Sequence, residues 1–364
     1  MDHLQKMQFL VGCIANEFVQ TITVYSFVGG IFMQMIGKTV KLDHPAVITG
    51  SAGVAGKKEA EGPLGTEFDQ VYEDTTLGQD SFELAEATLL RDAVTRALEA
   101  AGKAPGDVNF ILSGDLLDQC TSSCFGLQPL EIPYIGMYGA CSTITLTMAT
   151  AAMLVDAGAD CCVCSTSSHF CSSERQFRFP LEYGGQRPPT AQWTVTGAGS
   201  AVLEKRGEGV KVTHVHIGTV TDYGVTDANN MGAAMAPAAA RTIGDFLRDT
   251  KTAPQDYDMI LTGDLGYTGS TLLYELLEDK NINIRAQHKD CGLLIFDREA
   301  QDVGAGGSGC GCAGSVLCSY ILKQMRSGRL HRVLAVATGA LMSPTSSKQG
   351  MPIPGIANAV LLEA

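Results

Sequence analysis

KAPGDVNFILSGDLL, from Lys103 to Leu117, and TAPQDYDMILTGDLG, from Thr252 to Gly266, are one segment written twice. They align without a gap at a constant offset of 149 residues. Ala104-Pro105 matches Ala253-Pro254, Asp107 matches Asp256, and Ile111-Leu112 matches Ile260-Leu261. Gly114-Asp115-Leu116 matches Gly263-Asp264-Leu265. Self-similarity at a fixed spacing marks a duplicated folding unit.

A helix is expected ahead of each copy. Glu83 to Ala101 places Leu84, Ala87, Leu90, Val94 and Leu98 at helical spacing, and Ala238 to Asp249 offers Ile243, Phe246 and Leu247. Pro105 and Pro254 follow the helix ends, where proline cannot continue the helix. Downstream, a strand from Pro133 to Tyr138 leads into Gly139-Ala140-Cys141-Ser142, which opens an Ala/Thr/Leu-rich helix ending at Asp156-Ala157-Gly158. In the second half Gly309 to Cys312 opens a helix running through Met325 to Ser327-Gly328. Strands at Asp160–Cys164 and Arg332–Ala337 follow these helices. Aligning Gly158 with Gly328 puts Cys141 opposite Gly311. Helix and strand in alternation predict an α/β fold with parallel sheets covered by helices. The expected units are an N-terminal half, 35–208, and a C-terminal half, 209–364, with no Pro/Gly/Ser linker between them.

The chain has 364 residues, 45% hydrophobic and 18% charged, enough to bury a large core. A formal net charge of −13 and no long Lys/Arg run argue against nucleic-acid binding. Cys161, Cys162 and Cys164 read as small buried hydrophobes of a reducing compartment. Cys120-x3-Cys124 and Cys310-x-Cys312 lack the paired spacing of a zinc site, so no structural metal is expected. Gly304 to Gly314 lacks the lysine of a nucleotide-binding P-loop. Residues 1–34 are an extra segment. It reads as sequence upstream of the domain's natural start, as a membrane-associating arm or as an added helix. It has no basic region or small-residue cleavage site of a signal peptide.

Cys141 sits at a glycine-flanked turn from strand to helix. There the helix dipole and free backbone N–H groups favour a thiolate, so a nucleophile fits. A small residue filling a tight turn fits equally. A cysteine at a helix start in the first half alone, within a duplicated α/β chain, resembles the thiolase superfamily. The segments EGPLGTEFD, SGDLLDQ, YGACST, TSSH, TVTGAG, AMAPAAA, LTGDLG, HKDCG, AGGSGCGCAG and VATGALMSP occur in the order of its stage V sporulation protein AD branch. The resemblance spans Lys38 to Ala364. It implies a thiolase-like fold: duplicated, in five layers, α-β-α-β-α. It also implies a role in spore-forming bacteria, in dipicolinic acid uptake during sporulation and its release during germination. By that resemblance the chain is a binding subunit that partners the stage V sporulation A membrane proteins. Its expected place is the cytosolic side of the spore inner membrane, or the forespore cytoplasm. It is also expected to be a homodimer, paired through the apolar run Cys161 to Cys164.

The alternative is an acyltransferase using Cys141 as nucleophile. Condensing enzymes of this type carry a His-Gln pair after the second-half strand and a Gly-Asn turn at the last helix. Here those positions read Leu261-Thr262-Gly263-Asp264 and Gly307-Ser308-Gly309-Cys310. His288 is a candidate substitute base, and a structural histidine fits that position as well. For binding, the helix starts at Cys141-Ser142 and at Ser308-Gly309-Cys310 are expected to offer N–H donors to a planar dicarboxylate. His288 and Lys289 are candidates to add charge, and His169, at a strand end, is a further site candidate. Asp115, Asp264 and Asp290 are candidate oxygen ligands for calcium. No calcium-loop spacing appears, so calcium is expected to arrive with the ligand.

Overall fold

The structure is a computed structural model that describes residues 33–117, 119–177 and 186–364. The 1–34 segment, apart from its last two residues, therefore lies outside the described residues. The strands that matter here are β1 (Thr39–Gly56), β2 (Phe110–Asp115), β3 (Tyr134–Gly136), β4 (Cys161–Ser168) and β5 (Gly197–Glu204) in the first half. In the second half they are β6 (Val210–His216), β7 (Met259–Thr262), β8 (His288–Asp290), β9 (Arg332–Ala340) and β10 (Gly355–Glu363). The helices are α1 (Phe82–Ala101), α2 (Thr121–Leu127), α3 (Thr143–Asp156), α4 (Met231–Thr250), α5 (Gly266–Glu278) and α6 (Cys310–Val316). The α6 helix continues through a π-helical turn, Leu317–Ile321, to Arg326.

The duplication is visible in the strand order. The first half runs β3-β2-β4-β5-β1, and the second runs β8-β7-β9-β10-β6. Numbering strands within each half gives 3-2-4-5-1 both times. The two first strands, β1 and β6, pair antiparallel and join the halves into one continuous sheet system.

Helices fill three layers around these sheets. On one outer face α1 packs against β1, β4 and β5, and on the other α4 packs against β9 and β10. Between the sheets lie α3 and α6: α3 touches β1, β2 and β4 on one side and β9 and β10 on the other. The fold is the expected five-layered, thiolase-like α/β arrangement. Each of the three helix layers packs into its own apolar cluster. Phe246 and Leu273 belong to one outer core, Leu89 and Leu90 to the other, and Ile144, Met148 and Leu317 to the middle. Each such side chain, fully buried, contributes roughly 1.5–3 kcal/mol.

Local sequence explains the elements. Ser81 caps α1 by accepting a hydrogen bond from Leu84 N–H at 3.3 Å, and Gly102 ends it in a left-handed conformation, φ 65°. α3 lies between two sheets, so its threonines are buried. Thr143, Thr145 and Thr147 donate to the carbonyls of Ala140, Ser142 and Ile144, which satisfies hydroxyls that water cannot reach. Glycine permits the close approach of α6 to the first sheet. A Cβ on Gly199 would lie 2.0 Å from the Gly314 carbonyl oxygen. β4 is buried along its whole length, and the described cysteines form no disulfide.

Three expectations need correction. α4 starts at Met231, not Ala238, and carries Pro237 inside it. Burial of its Met/Ala-rich first turns outweighs the one helical hydrogen bond that proline removes. The strand expected from Pro133 to Tyr138 is only Tyr134–Gly136. β4, expected to pair two copies, is an interior strand, parallel to β2 on one side and antiparallel to β5 on the other. Its apolar character reflects helices on both faces. The edge of the first half is β3.

Candidate functional site

Cys141 lies in a turn of 3-10 helix, Ala140–Ser142, directly ahead of α3. Ala140 adopts a left-handed backbone, φ 48°, uncommon for a residue with a side chain. The turn abuts the second half: a Cβ on Gly339 of β9 would lie 2.2 Å from the Gly139 carbonyl oxygen. The cysteine therefore sits at the seam between the repeats. It floors a narrow cleft bounded by Leu116, Leu117, Tyr138, Met231, Ser308 and Met342. About 30 Å³ is free there, room for roughly two water molecules. No Lys, Arg or His is among the described residues lining it.

Asp264 is the polar centre of this seam. It follows β7 and is fully buried. Its Oδ2 accepts from Gly309 N–H at 2.8 Å and Ser308 Oγ at 3.2 Å, and its Oδ1 accepts from Thr338 Oγ1 at 3.0 Å. The Cys141 thiol lies next to this carboxyl, whose charge acts on it. Burial raises the Asp264 pKa to about 7, against the pull of its donors. Cys310 packs against Cys141 and Leu116, and its thiol donates to the Ser167 carbonyl at 2.9 Å. Asp264 and Cys310, one from each of the two second-half segments where the resemblance leads one to expect a base and a donor, thus converge on Cys141.

Of the two readings of Cys141, this arrangement favours a neutral small residue over a thiolate. Burial, then the neighbouring Asp264 carboxylate, push its pKa well above the ordinary thiol value. The favourable helix start is outweighed. Two of the N–H groups at the start of α6 are already engaged. Gly309 N–H serves Asp264, and Gly311 N–H serves Ser168 Oγ at 3.1 Å.

The remaining candidates are dispersed. His288 does not line the cleft. Its Nε2 meets Thr262 Oγ1 at 2.8 Å, and its Nδ1 meets the Tyr274 hydroxyl at 2.8 Å. Thr262 Oγ1 donates onward to Asp290 at 2.6 Å, which assigns the proton of the neutral ring to Nε2. Burial, with Lys289 adding to it, lowers the His288 pKa to about 4. The ring is a structural, uncharged link between β7, β8 and α5. Asp290 accepts from Leu265 N–H and Gly266 N–H at the start of α5, and Lys289 is exposed on β8. Ser142 Oγ donates to the Gly139 carbonyl and accepts from Asn358 Nδ2, away from the cleft. His169 Nε2 meets the Thr75 carbonyl at 2.8 Å.

A second buried acid group lies in the first half. Asp115, the repeat counterpart of Asp264, accepts from Ser122 N–H, Ser123 N–H and the Ser123 hydroxyl at the start of α2. Glu86 of α1 accepts from Ser167 Oγ at 3.0 Å and Ser172 Oγ at 2.5 Å. Burial, with Asp115 nearby, raises its pKa to about 8. Neither Glu86 nor the Cys141–Asp264 contact was singled out from sequence. The signal for the contact was an aspartate within the segment where the resemblance leads one to expect a histidine.

Comparison with known proteins decides the family. Residues 37–363 match the model of stage V sporulation protein AD. Stage V sporulation protein AD of Bacillus subtilis (strain 168) is 45% identical over 333 residues, covering 91% of this chain and 98% of that protein. The chain belongs to the stage V sporulation protein AD family. Its role accordingly lies in sporulation. Among solved structures, the family fold matches the 3-oxoacyl-[acyl-carrier-protein] synthase III of Aquifex aeolicus VF5, with a TM-score of 0.52 and 12% identity over 88% of this chain and 100% of that one. A tetronic acid condensing enzyme gives 0.54 and 18%, over 87% and 100%. OleA of Xanthomonas campestris with bound cerulenin gives 0.57 and 13%, over 88% and 99%. At these identities the likeness is one of fold. Among the described residues, no helix is long and apolar enough to cross a membrane.

Proposed function

We propose that this member of the stage V sporulation protein AD family binds dipicolinic acid at the Cys141 cleft, as a non-catalytic subunit serving the stage V sporulation A membrane proteins. The observation that carries the non-catalytic reading is the setting of Cys141: a buried thiol beside the Asp264 carboxyl, with no His among the described residues that line its cleft. Acyl transfer needs a thiolate and a base within reach. Family membership and the resemblance in the sequence supply the ligand. The cleft walls, Leu116, Leu117, Met231 and Met342, suit the faces of an aromatic ring. Admitting that ring requires the flexible methionines to rotate outward.

Charge favours the calcium complex over the free dianion. The described lining holds no cation, and Asp264 lies beneath the floor. Dipicolinate carries two negative charges and calcium cancels them, so a neutral complex loses less on entering an apolar cleft. In this reading the protein works at the cytosolic side of the spore inner membrane, and two copies associate along the β3 edge. Isothermal titration calorimetry of the full chain with dipicolinate, with and without calcium, tests the proposal. Saturable heat is expected and is stronger with calcium. Absence of heat in both titrations of folded protein rejects it. The fold keeps an acyltransferase as the competing reading. That reading requires an acyl adduct on Cys141 after incubation with acyl-coenzyme A, visible as added mass.

A further inference from the structure

On the outer face of the second half, well separated in chemistry from the cysteine cleft, a groove of about 270 Å³ runs between α4 and α5. Its walls are Tyr223, Val225, Leu272 and Leu276, and its floor is Ala233 and Pro237 of α4. Tyr223 is 68% exposed, and the same loop leaves Val220 54% exposed. Ile353 N–H donates to the Val225 carbonyl at 2.7 Å, and Thr221 bridges to Gly355. These contacts hold the stretch containing Met351, itself 51% exposed, beside the same loop. Exposed apolar side chains beside a half-buried apolar groove mark a contact site for another molecule.

Two further features specify what fits. Glu275 of α5 and Asp279, the residue that caps its C-terminal end, line the groove and are exposed, so its rim is anionic. Lys280, just beyond them, reaches away to the Ala240 carbonyl at 3.5 Å. Pro237 has no N–H, so the Ala233 carbonyl one turn earlier lacks its helical donor, and both residues are at the floor. The groove therefore offers apolar walls and negative charge. We infer that it receives a short amphipathic helix from a partner protein, with an apolar stripe facing Leu272 and Leu276 and Lys or Arg at its flanks. This is helix-in-groove recognition. Met231, at the start of the same helix α4, lines the cysteine cleft, so the occupied groove adjoins the element that walls the ligand site.

The test is selection from a display library of 16-residue segments against the full chain, followed by titration of enriched peptides. The expected winners carry apolar residues at i, i+3 and i+4 flanked by Lys or Arg, and bind more weakly as salt rises. Their affinity falls at least ~10-fold for Leu276→Arg, and for the exposed double change Glu275→Lys with Asp279→Lys. The double change leaves the fold intact and favours Glu-flanked versions of the same peptides. No enrichment, enrichment of uncharged or acidic segments, or equal binding to these variants overturns the inference. So does concentration-dependent self-association abolished by Leu276→Arg, which assigns the groove to a second copy.

Discussion

Asp264→Asn separates the two forces that set the state of Cys141. The substitution keeps the shape of the side chain. Its amide oxygen can accept from Gly309 N–H and Ser308 Oγ, while its NH2 donates to Thr338 Oγ1, a hydroxyl free to rotate. The fold should therefore survive, and only the charge is lost. Two charges about 4 Å apart at an effective dielectric of about 20 interact by about 4 kcal/mol, which is the scale on which the Asp264 carboxylate opposes a Cys141 thiolate. About half of a change in thiol acidity reaches the rate, because a weaker base is a poorer nucleophile. The remaining ~2 kcal/mol corresponds to roughly thirtyfold faster modification. The assay is the rate of reaction with methyl methanethiosulfonate at a pH of about 8, above the Asp264 pKa of about 7, so that the wild-type carboxylate is ionised. Peptide mass spectrometry resolves Cys141 from the exposed Cys124, which serves as internal control. An unchanged or slower rate at Cys141, with Cys124 constant, refutes the claim that Asp264 holds the thiol neutral.

Three other outcomes follow from the same geometry. Tyr274→Phe removes one partner of His288 and should cost about 1 kcal/mol in urea unfolding while leaving Cys141 modification unchanged; altered Cys141 reactivity would return His288 to the site. Gly339→Ala forces a methyl group to 2.2 Å from the Gly139 carbonyl oxygen, so it should destabilise the chain by roughly 1–3 kcal/mol, measured by chemical denaturation. The pH dependence of thermal stability tests the buried acids. Glu86 and Asp264 have folded pKa values raised to about 8 and about 7, so the folded state holds their protons more tightly than the unfolded chain. Their contribution is complete below the unfolded values and is lost as pH rises through the folded ones. His288, lowered to about 4, has the opposite sign: its contribution is present above about 6.5 and is lost as pH falls toward 4. Glu86→Gln should flatten the loss at the alkaline end, and an unchanged midpoint-versus-pH curve contradicts the assignment.

The duplicated architecture was legible because each copy keeps its helix, proline, strand and Gly-Asp turn at one spacing. Those features are local, and they repeat in the strand order of both halves. The partner of Cys141 was less legible. Asp264 lies in the other repeat, and its approach depends on how two sheets enclose α3 and α6. His288 drew attention as a histidine after a second-half strand. Only the pairing of β7 with β8, Ile260 beside His288 and Thr262 beside Asp290, shows its ring occupied by Thr262 and Tyr274. The Cys161 to Cys164 run was matched to the pairing strand that the resemblance implied, because it is apolar. Helices on both sides of an interior strand produce the same pattern.

A crystal of the full chain soaked with calcium dipicolinate tests the central claim most directly. The expected density is a flat ring between Leu116 and Met231, above an unmodified Cys141, with Met231 or Met342 turned outward. A cleft that stays shut while the ring binds elsewhere on the chain contradicts it.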